Sequence, residues 1–525
     1  MATIRIEKLT HVVTVDDAFT ILGDATIEIT DGVITAITSR NSPQVRRSGP
    51  ETGAEGQGST NLVSQMEKSG GGGSGVGGEV GAGAEVTVID GRGKLALPGL
   101  VNLHTHLPMT LLRGLAENVD LQGFLTKVWA AEGAVMDPDT VRIGAELGAL
   151  ESLLAGVTTT LDMYFHHEAA HEGALATGAR HIIGPVFFDG PGPDGLAWEQ
   201  RLDQLATWPT RLAELSATPA CDPKFVEKHR SGSVSRPNRR TWGEFQGEGL
   251  HRVPGPFVPA AAMPHSTYTC SPEHLREIAD IVATWPADSR PLIHVHASEN
   301  LAENADVIAR HHATPTQVLT QAGLLHGIPN ARTVLGHGVH LSPEDRALIA
   351  ASPGAAVAHC PGSNLKLASG ALPWQTYRDA GVPLGLGTDG CASSNDLDLW
   401  QAMRLAANLA RLTSGDPTTA PAAEIIRAAT IEGARALGID DLIGSLEVGK
   451  RADLVLIDLD APHLTPAHDL SALLVFAAGR GDVTDVFVDG RQVVQDRKST
   501  LIDTSDLLLR AGERGRVAAN AAKDA

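Results

Sequence analysis

The chain has 525 residues, 42% of them apolar, and carries 42 Lys and Arg against 62 Asp and Glu, for a formal net charge of −20. That length suits one large α/β domain plus a smaller one, and the acidic balance argues against a nucleic-acid or anionic-membrane partner. Four cysteines without CxxC spacing give no disulfide framework for so long a chain, and no run approaches the ~18 apolar residues of a membrane span.

The N-terminus, MATIRIEKLTHVVTVDD, alternates like a strand and has no signal-peptide apolar core, so a cytoplasmic location is expected. A second strand-like stretch, ATIEITDGVITAIT, turns at Asp31-Gly32. Residues 41–85 contain SGGGGSGVGG and few large apolar side chains, and are expected to be a flexible insertion. Strand signal returns at VTVIDGRGKLALPG, so residues 1–95 are expected to give the N-terminal part of a small β domain.

Eight short apolar runs follow, separated by helix-length segments. They are LALPGLVNLHTH, GVTTTLDMY, ARHIIGPVFF, VPAAAMPH, PLIHVHASE, TVLGH, GAAVAHC and VPLGLGTD. The repetition predicts an α/β fold, a (β/α)₈ TIM-like metallohydrolase barrel over residues 96–444, with chemistry at the C-terminal strand ends. A polar interruption at 221–249 reads as a barrel-top insertion or a disordered loop. GSLEVGKRADLVLIDLD and VTDVFVDGRQVVQD return to short strands with tight turns. Residues 445–525 are therefore expected to complete the small β-sandwich domain and to end in a polar helix.

Polar residues close most of these runs. His104 and His106, two apart on a strand, face the same side and can point at one ion, although HxH alone is a weak signal among 21 histidines. His296 and Asp389 at later strand ends complete a set of imidazole and carboxylate ligands. An ion there would lower the pKa of water from ~15.7 towards ~7 and make hydroxide available at neutral pH. Glu299 is a candidate general acid, or else a surface acid at a helix N-terminus. His337 is a candidate proton-transfer group, and Asp389 has the alternative of a turn cap in GTDG. His294 rivals His296 as ligand, but His296 sits nearer the strand end. His166, His167, His171, His311 and His312 fall in helix or loop segments and are read as solvent-facing. Asn364 and Lys366 are equally compatible with substrate contact and with a structural loop.

PGLVNLHTHLPMTLLRGLAE, GVTTTLDMYFH, PHSTYTCSPE, HVHASE, SNLKLASGALP and LGLGTDGCASSNDLDLWQAMRLA together resemble the amidohydrolase superfamily. The likeness is greatest to deaminases of S-adenosylhomocysteine, methylthioadenosine and adenosine. It implies metal ligation by His104, His106, His296 and Asp389, with proton transfer by Glu299, His337 and Asp389. It also implies substrate contact by His265 and Glu299, and ribose binding by Glu132. Binuclear members carry a bridging lysine after the fourth strand. AMPHS has none, which implies one divalent ion, zinc before iron. Members that bind the carboxylate tail of S-adenosylhomocysteine place arginine near the third strand end, where this chain has Pro185. The implied partner is a nucleoside, with methylthioadenosine, S-adenosylhomocysteine, 5′-deoxyadenosine and adenosine as candidates. The alternative is another aminated or chlorinated heterocycle, such as guanine, cytosine, a pterin or a triazine. Homo-oligomerisation is left open.

Overall fold

A computed structural model describes residues 2–40, 86–119, 121–190, 192–217 and 255–524. The Gly-rich stretch 41–85 and the segment 221–249 lie outside the described residues. Among the described residues no helix is long and apolar enough to cross a membrane.

All eight apolar runs form parallel barrel strands. The first spans Leu100–Thr105, the second Val157–Asp162, the fourth Ala261–Pro264 and the fifth Leu292–Ala297. The sixth spans Arg332–His337, the seventh Ala355–His359 and the eighth Leu384–Leu386. The third is broken into Arg180–Ile182, paired with the second strand, and Val186–Phe187, paired with the fourth. Gly184 and Pro185 cause the break: Pro185 has no amide to donate, and a Cβ on Gly184 would lie 1.6 Å from the Ala261 carbonyl. The ring closes where the Thr388 and Asp389 amides donate to the His104 carbonyl at 3.1 and 2.9 Å. Gly387 permits that approach, since a Cβ there would meet His104 Cβ at 2.9 Å. Asn102 stitches the same seam, donating to Thr388 Oγ1 at 2.8 Å and accepting the Thr388 amide at 3.1 Å.

Helix starts repeat one chemistry. Asp137, Ser271, Thr314 and Ser342 each precede a proline, and each side chain accepts an amide two residues beyond that proline. The cap offers an oxygen to an otherwise unpaired amide, and proline sits where its missing N–H costs nothing. Ser271 and Ser342 start the helices that follow the fourth and sixth strands, and Asp137 and Thr314 each start a helix that follows another helix. The strands are buried along almost their whole length, as a sheet covered on both faces requires.

Both termini build one nine-stranded sheet. Thr3–Val13, Ile21–Thr30, Val33–Ser39, Val86–Asp90 and Lys94–Pro98 come from the N-terminal side. Leu454–Asp458, Val483–Val488, Arg491–Gln495 and Lys498–Ser499 come from the C-terminal side. The halves join where Lys94–Pro98 pairs antiparallel with Leu454–Asp458. Ile6, Leu9, Ile27 and Ile34 from one half share a buried core with Leu454, Leu456 and Phe487 from the other. The final helix, Thr504–Asp524, packs on Leu121–Val135, which covers the barrel mouth.

Candidate metal centre and active site

The strand ends converge on one buried point. The ring nitrogens of His104, His106 and His296 lie within 4.8 Å of one another, and ligand atoms of His104, His337 and Asp389 do likewise. Asp389 Oδ1 is 3.2 Å from His106 Nε2 and 3.4 Å from His104 Nε2.

Outer hydrogen bonds decide which nitrogen of each imidazole faces this point. His106 Nδ1 lies 2.6 Å from the Met163 carbonyl and His296 Nδ1 2.7 Å from the His265 carbonyl. A carbonyl only accepts, so both Nδ1 atoms donate and both Nε2 atoms carry lone pairs into the centre. His104 is held by an extra link. His294 Nδ1 donates to the Val334 carbonyl at 3.0 Å, which leaves His294 Nε2 as the acceptor for His104 Nδ1–H at 2.7 Å. His294 is thus turned away from the centre and orients a residue within it. His104 Nε2 remains buried with no hydrogen-bond partner, an orphaned lone pair that a divalent cation would satisfy.

The charges favour a cation at the same point. Burial pulls His106 down most strongly, but Asp389 and the Met163 carbonyl overcome it and bring the imidazole to about 9. Burial likewise opposes ionisation of Asp389, yet His104 and His106 hold it well below the usual carboxylate range. Three imidazoles and one carboxylate fit zinc or iron.

Three strand ends carry non-glycine residues in the left-handed region: Ser298 at φ 53°, His337 at φ 67° and Asp389 at φ 60°. Such conformations cost ~1–3 kcal/mol each and persist only where the surroundings over-determine them. Here they turn the functional side chains inward. Asp389 accepts the following Gly390 amide at 2.7 Å. His337 Nδ1 donates to Asn364 Oδ1 at 3.0 Å, which leaves Nε2 as an acceptor 3.8 Å from Glu299 Oε2. Glu299 is buried, not a surface acid, and Ser369 Oγ donates to its Oε1 at 3.4 Å. Burial raises its pKa most, with His337 opposing the shift and Asp389 adding to it.

Around the centre lies a cavity of about 60 Å³, lined by His106, His265, His296, Glu299, His337 and Asp389 together with an apolar wall. Phe165 stacks on Phe188 at 5.6 Å, and Phe188 tilts against His265 at 4.7 Å. Trp129 presents an edge to both Phe188 and His265. Glu132 enters from Leu121–Val135, accepts the Tyr164 hydroxyl at 2.6 Å on Oε1, and leaves Oε2 buried without a partner. Burial pushes Glu132 up to about 7, with Tyr164 and His106 working against the rise.

Other expected residues lie elsewhere. Lys366 binds the Ala392 carbonyl, Asn395 and Glu117, and so belongs to a loop brace. Asn364 supports His337. His167 and His171 are fully enclosed, contrary to the solvent-facing reading: one packs edge-on to Trp208 and the other lies 3.2 Å from His181. Helix His167–Ala176 faces the barrel, and its histidines fill the inner side of the layer. Arg180 is locked to Asp453 at 3.0 Å and Arg113 to Glu151 and the Asn395 carbonyl.

A model of the Amidohydrolase family matches residues 95–493, which includes every barrel strand. The chain belongs to the amidohydrolase family. It is 37% identical over 433 residues to a 5-methylthioadenosine/S-adenosylhomocysteine deaminase of Desulforudis audaxviator, covering 81% of this chain and 87% of that protein. The Thermococcus kodakarensis protein of that name is 37% identical over 406 residues, covering 77% and 84%. A zinc-bound adenosine deaminase from Xanthomonas campestris superposes with a TM-score of 0.75 at 30% identity, covering 98% of each chain. A zinc complex of atrazine chlorohydrolase from Arthrobacter aurescens superposes at 0.72 with 25% identity, covering 98% of this chain and 100% of that one.

The amidohydrolase resemblance pointed to Glu299 beside the histidine–aspartate cluster but did not mark what supports it. Asn364, read from the sequence as a substrate contact or a structural loop, supports His337, whereas Ser369 and Glu303 reach Glu299 through the fold and were not singled out in the sequence.

Proposed function

We propose that this amidohydrolase is a metal-dependent hydrolytic deaminase of adenosine-type nucleosides. The observation that carries the reading is the pairing of two features in one cavity. A buried pair of proton-transfer groups, Glu299 and His337, flanks the histidine–aspartate cluster, and Glu132, which lines the same space, has a buried carboxylate oxygen without a partner among the described residues. A divalent ion held by His104, His106, His296 and Asp389 would supply Lewis-acid activation of a water molecule.

The protein's own groups then move protons. As the water oxygen bonds to the amino-bearing ring carbon, its proton passes to Asp389 or His337. Glu299, whose pKa burial raises, gives its proton to the adjacent ring nitrogen. Collapse of the tetrahedral carbon breaks the bond to the amino nitrogen, which takes the proton held by the acceptor and leaves as ammonia, while the added hydroxyl gives its remaining proton to the Glu299 carboxylate and becomes the new carbonyl. His265 and Phe188 form the face against which a flat heterocycle lies. Glu132 offers its free oxygen to a hydroxyl donor, as a ribose diol provides. A heterocycle that brings no hydrogen-bond donor to that point would leave the oxygen buried and unpaired, so the nucleoside reading is favoured.

The pocket also points to the 5′ substituent. Among the described residues no lysine or arginine lines the cavity, and the outer space beside Trp129 and Phe188 is bounded by Gly190, Gly192, Pro193 and Thr269. Arg201, 6.0 Å from the Phe188 ring centre, is bound to Asp194 and the Val186 carbonyl. A carboxylate tail would be desolvated without a bidentate partner, so a neutral tail is preferred. Ammonia release from methylthioadenosine and from S-adenosylhomocysteine, measured side by side at low and high salt, tests this. A higher kcat/KM for methylthioadenosine at both salts is expected. A salt-sensitive preference for S-adenosylhomocysteine would refute the neutral-tail assignment, and no ammonia from any adenosine would refute deamination.

A further inference from the structure

We propose that Glu303 is a positioning residue for proton transfer, fixing the turn that aims Glu299 at the substrate. The inference rests on Glu299 as the proton donor. Helix Leu301–His311 begins at Asn300, whose side chain accepts the Glu303 amide at 2.8 Å. An acid at the third helical position commonly reaches back to the amide of its own cap residue. Glu303 reaches further. Its Oε1 accepts the Ser298 amide at 3.0 Å and its Oε2 accepts the Glu299 amide at 2.7 Å.

This grip has consequences at the Glu299 side chain. Ser298 is left-handed at φ 53°, a conformation that the chain would leave if the turn were free. The Ser298 carbonyl is held from the opposite side by the His340 amide at 3.0 Å. The Glu299 carboxyl itself has only long contacts, 3.4 Å to Ser369 Oγ and 3.8 Å to His337 Nε2. Its direction is therefore set by its backbone, and Glu303 sets that backbone. Two consecutive amides held by two oxygens of one buried carboxylate cannot rock about either contact.

The test is a double-mutant cycle on the metal-loaded, full-length protein with methylthioadenosine. Glu303→Gln keeps the shape but sets an NH₂ against one of the two amides. Displacing a reacting group by ~1 Å costs on the order of a hundredfold, so kcat should fall between about ten- and a hundredfold. KM should stay within about twofold, and the ion content should be unchanged, because His104, His106 and Asp389 lie on other strand ends and His296, on this one, is held by its own strand pairing and by the His265 carbonyl. In a Glu299→Gln background the same change should cost less than about threefold, since the group it positions is already disabled. Glu303→Asp retains the charge but falls short of the amides. It should reproduce the kcat loss, and it decides the matter if the glutamine variant does not fold. Equal losses in both backgrounds, unchanged kcat, or a kcat loss that follows metal loss would each overturn the proposal. Full activity of Glu299→Gln alone would instead remove the proton-donor assignment on which it rests.

Discussion

Replacing His294 by phenylalanine should weaken metal binding without touching a ligand. His294 is fully buried, and its Nε2 is the acceptor that keeps the His104 proton on Nδ1. Phenylalanine fills most of the volume but accepts nothing. The His104 N–H is then buried and unpaired, at a cost of ~1–3 kcal/mol, and relief comes by moving the proton to Nε2, where the ion needs a lone pair. Loss of an outer partner of this kind lowers metal affinity about 10–100-fold, which agrees with that range. The His294 N–H to the Val334 carbonyl disappears as well, so the thermal midpoint should drop somewhat. Competition with a chelator of known affinity gives the dissociation constant, with His104→Ala as the upper bound. A folded His294→Phe protein that binds zinc within twofold of the parent would refute the linkage between these two rings.

Glu299→Gln should retain the ion and lose about 10²–10⁴-fold in kcat, the range for a positioned general acid, and a loss below tenfold would assign the proton elsewhere. Glu132→Gln should raise KM for a nucleoside about tenfold with a smaller change in kcat, because hydrogen bonds to a charged group contribute ~1.5–3 kcal/mol. An unaltered KM would make Glu132 a purely structural partner of Tyr164. Stability should depend on pH through His167, which burial holds down to about 3 from an ordinary 6.5. The folded protein keeps it neutral while the unfolded chain takes up the proton, so its contribution is full above about 6.5 and is lost as pH falls towards 3. The thermal midpoint of His167→Phe should accordingly fall less than that of the parent between pH 7 and 4.5, and parallel curves would contradict this.

The barrel and its strand ends were legible because most of the apolar runs terminate in a residue that no core would tolerate unpaired. His104, His106, His296 and Asp389 could be read this way, since parallel strands place their C-terminal ends on one face. The third strand was read as one run, and only the contact between Gly184 and the Ala261 carbonyl reveals the break. His167 and His171 were misread because helical spacing alone does not say which face of a helix meets the barrel. In sequence, His296 is preferred to His294 only because it sits nearer the strand end. The strand pleat alone does not separate them, and the partners Val334 and His265 do, through neighbouring strands far away in the chain. Glu303 resembles any acid near a helix start until its two amide partners are known.

Titrating metal-free protein with zinc while following ammonia release from methylthioadenosine tests the central claim most directly. Activity should rise linearly and saturate at one ion per chain, with none in Asp389→Ala. Zinc binding at one ion per chain without ammonia release, or activity that requires a second ion, would contradict it.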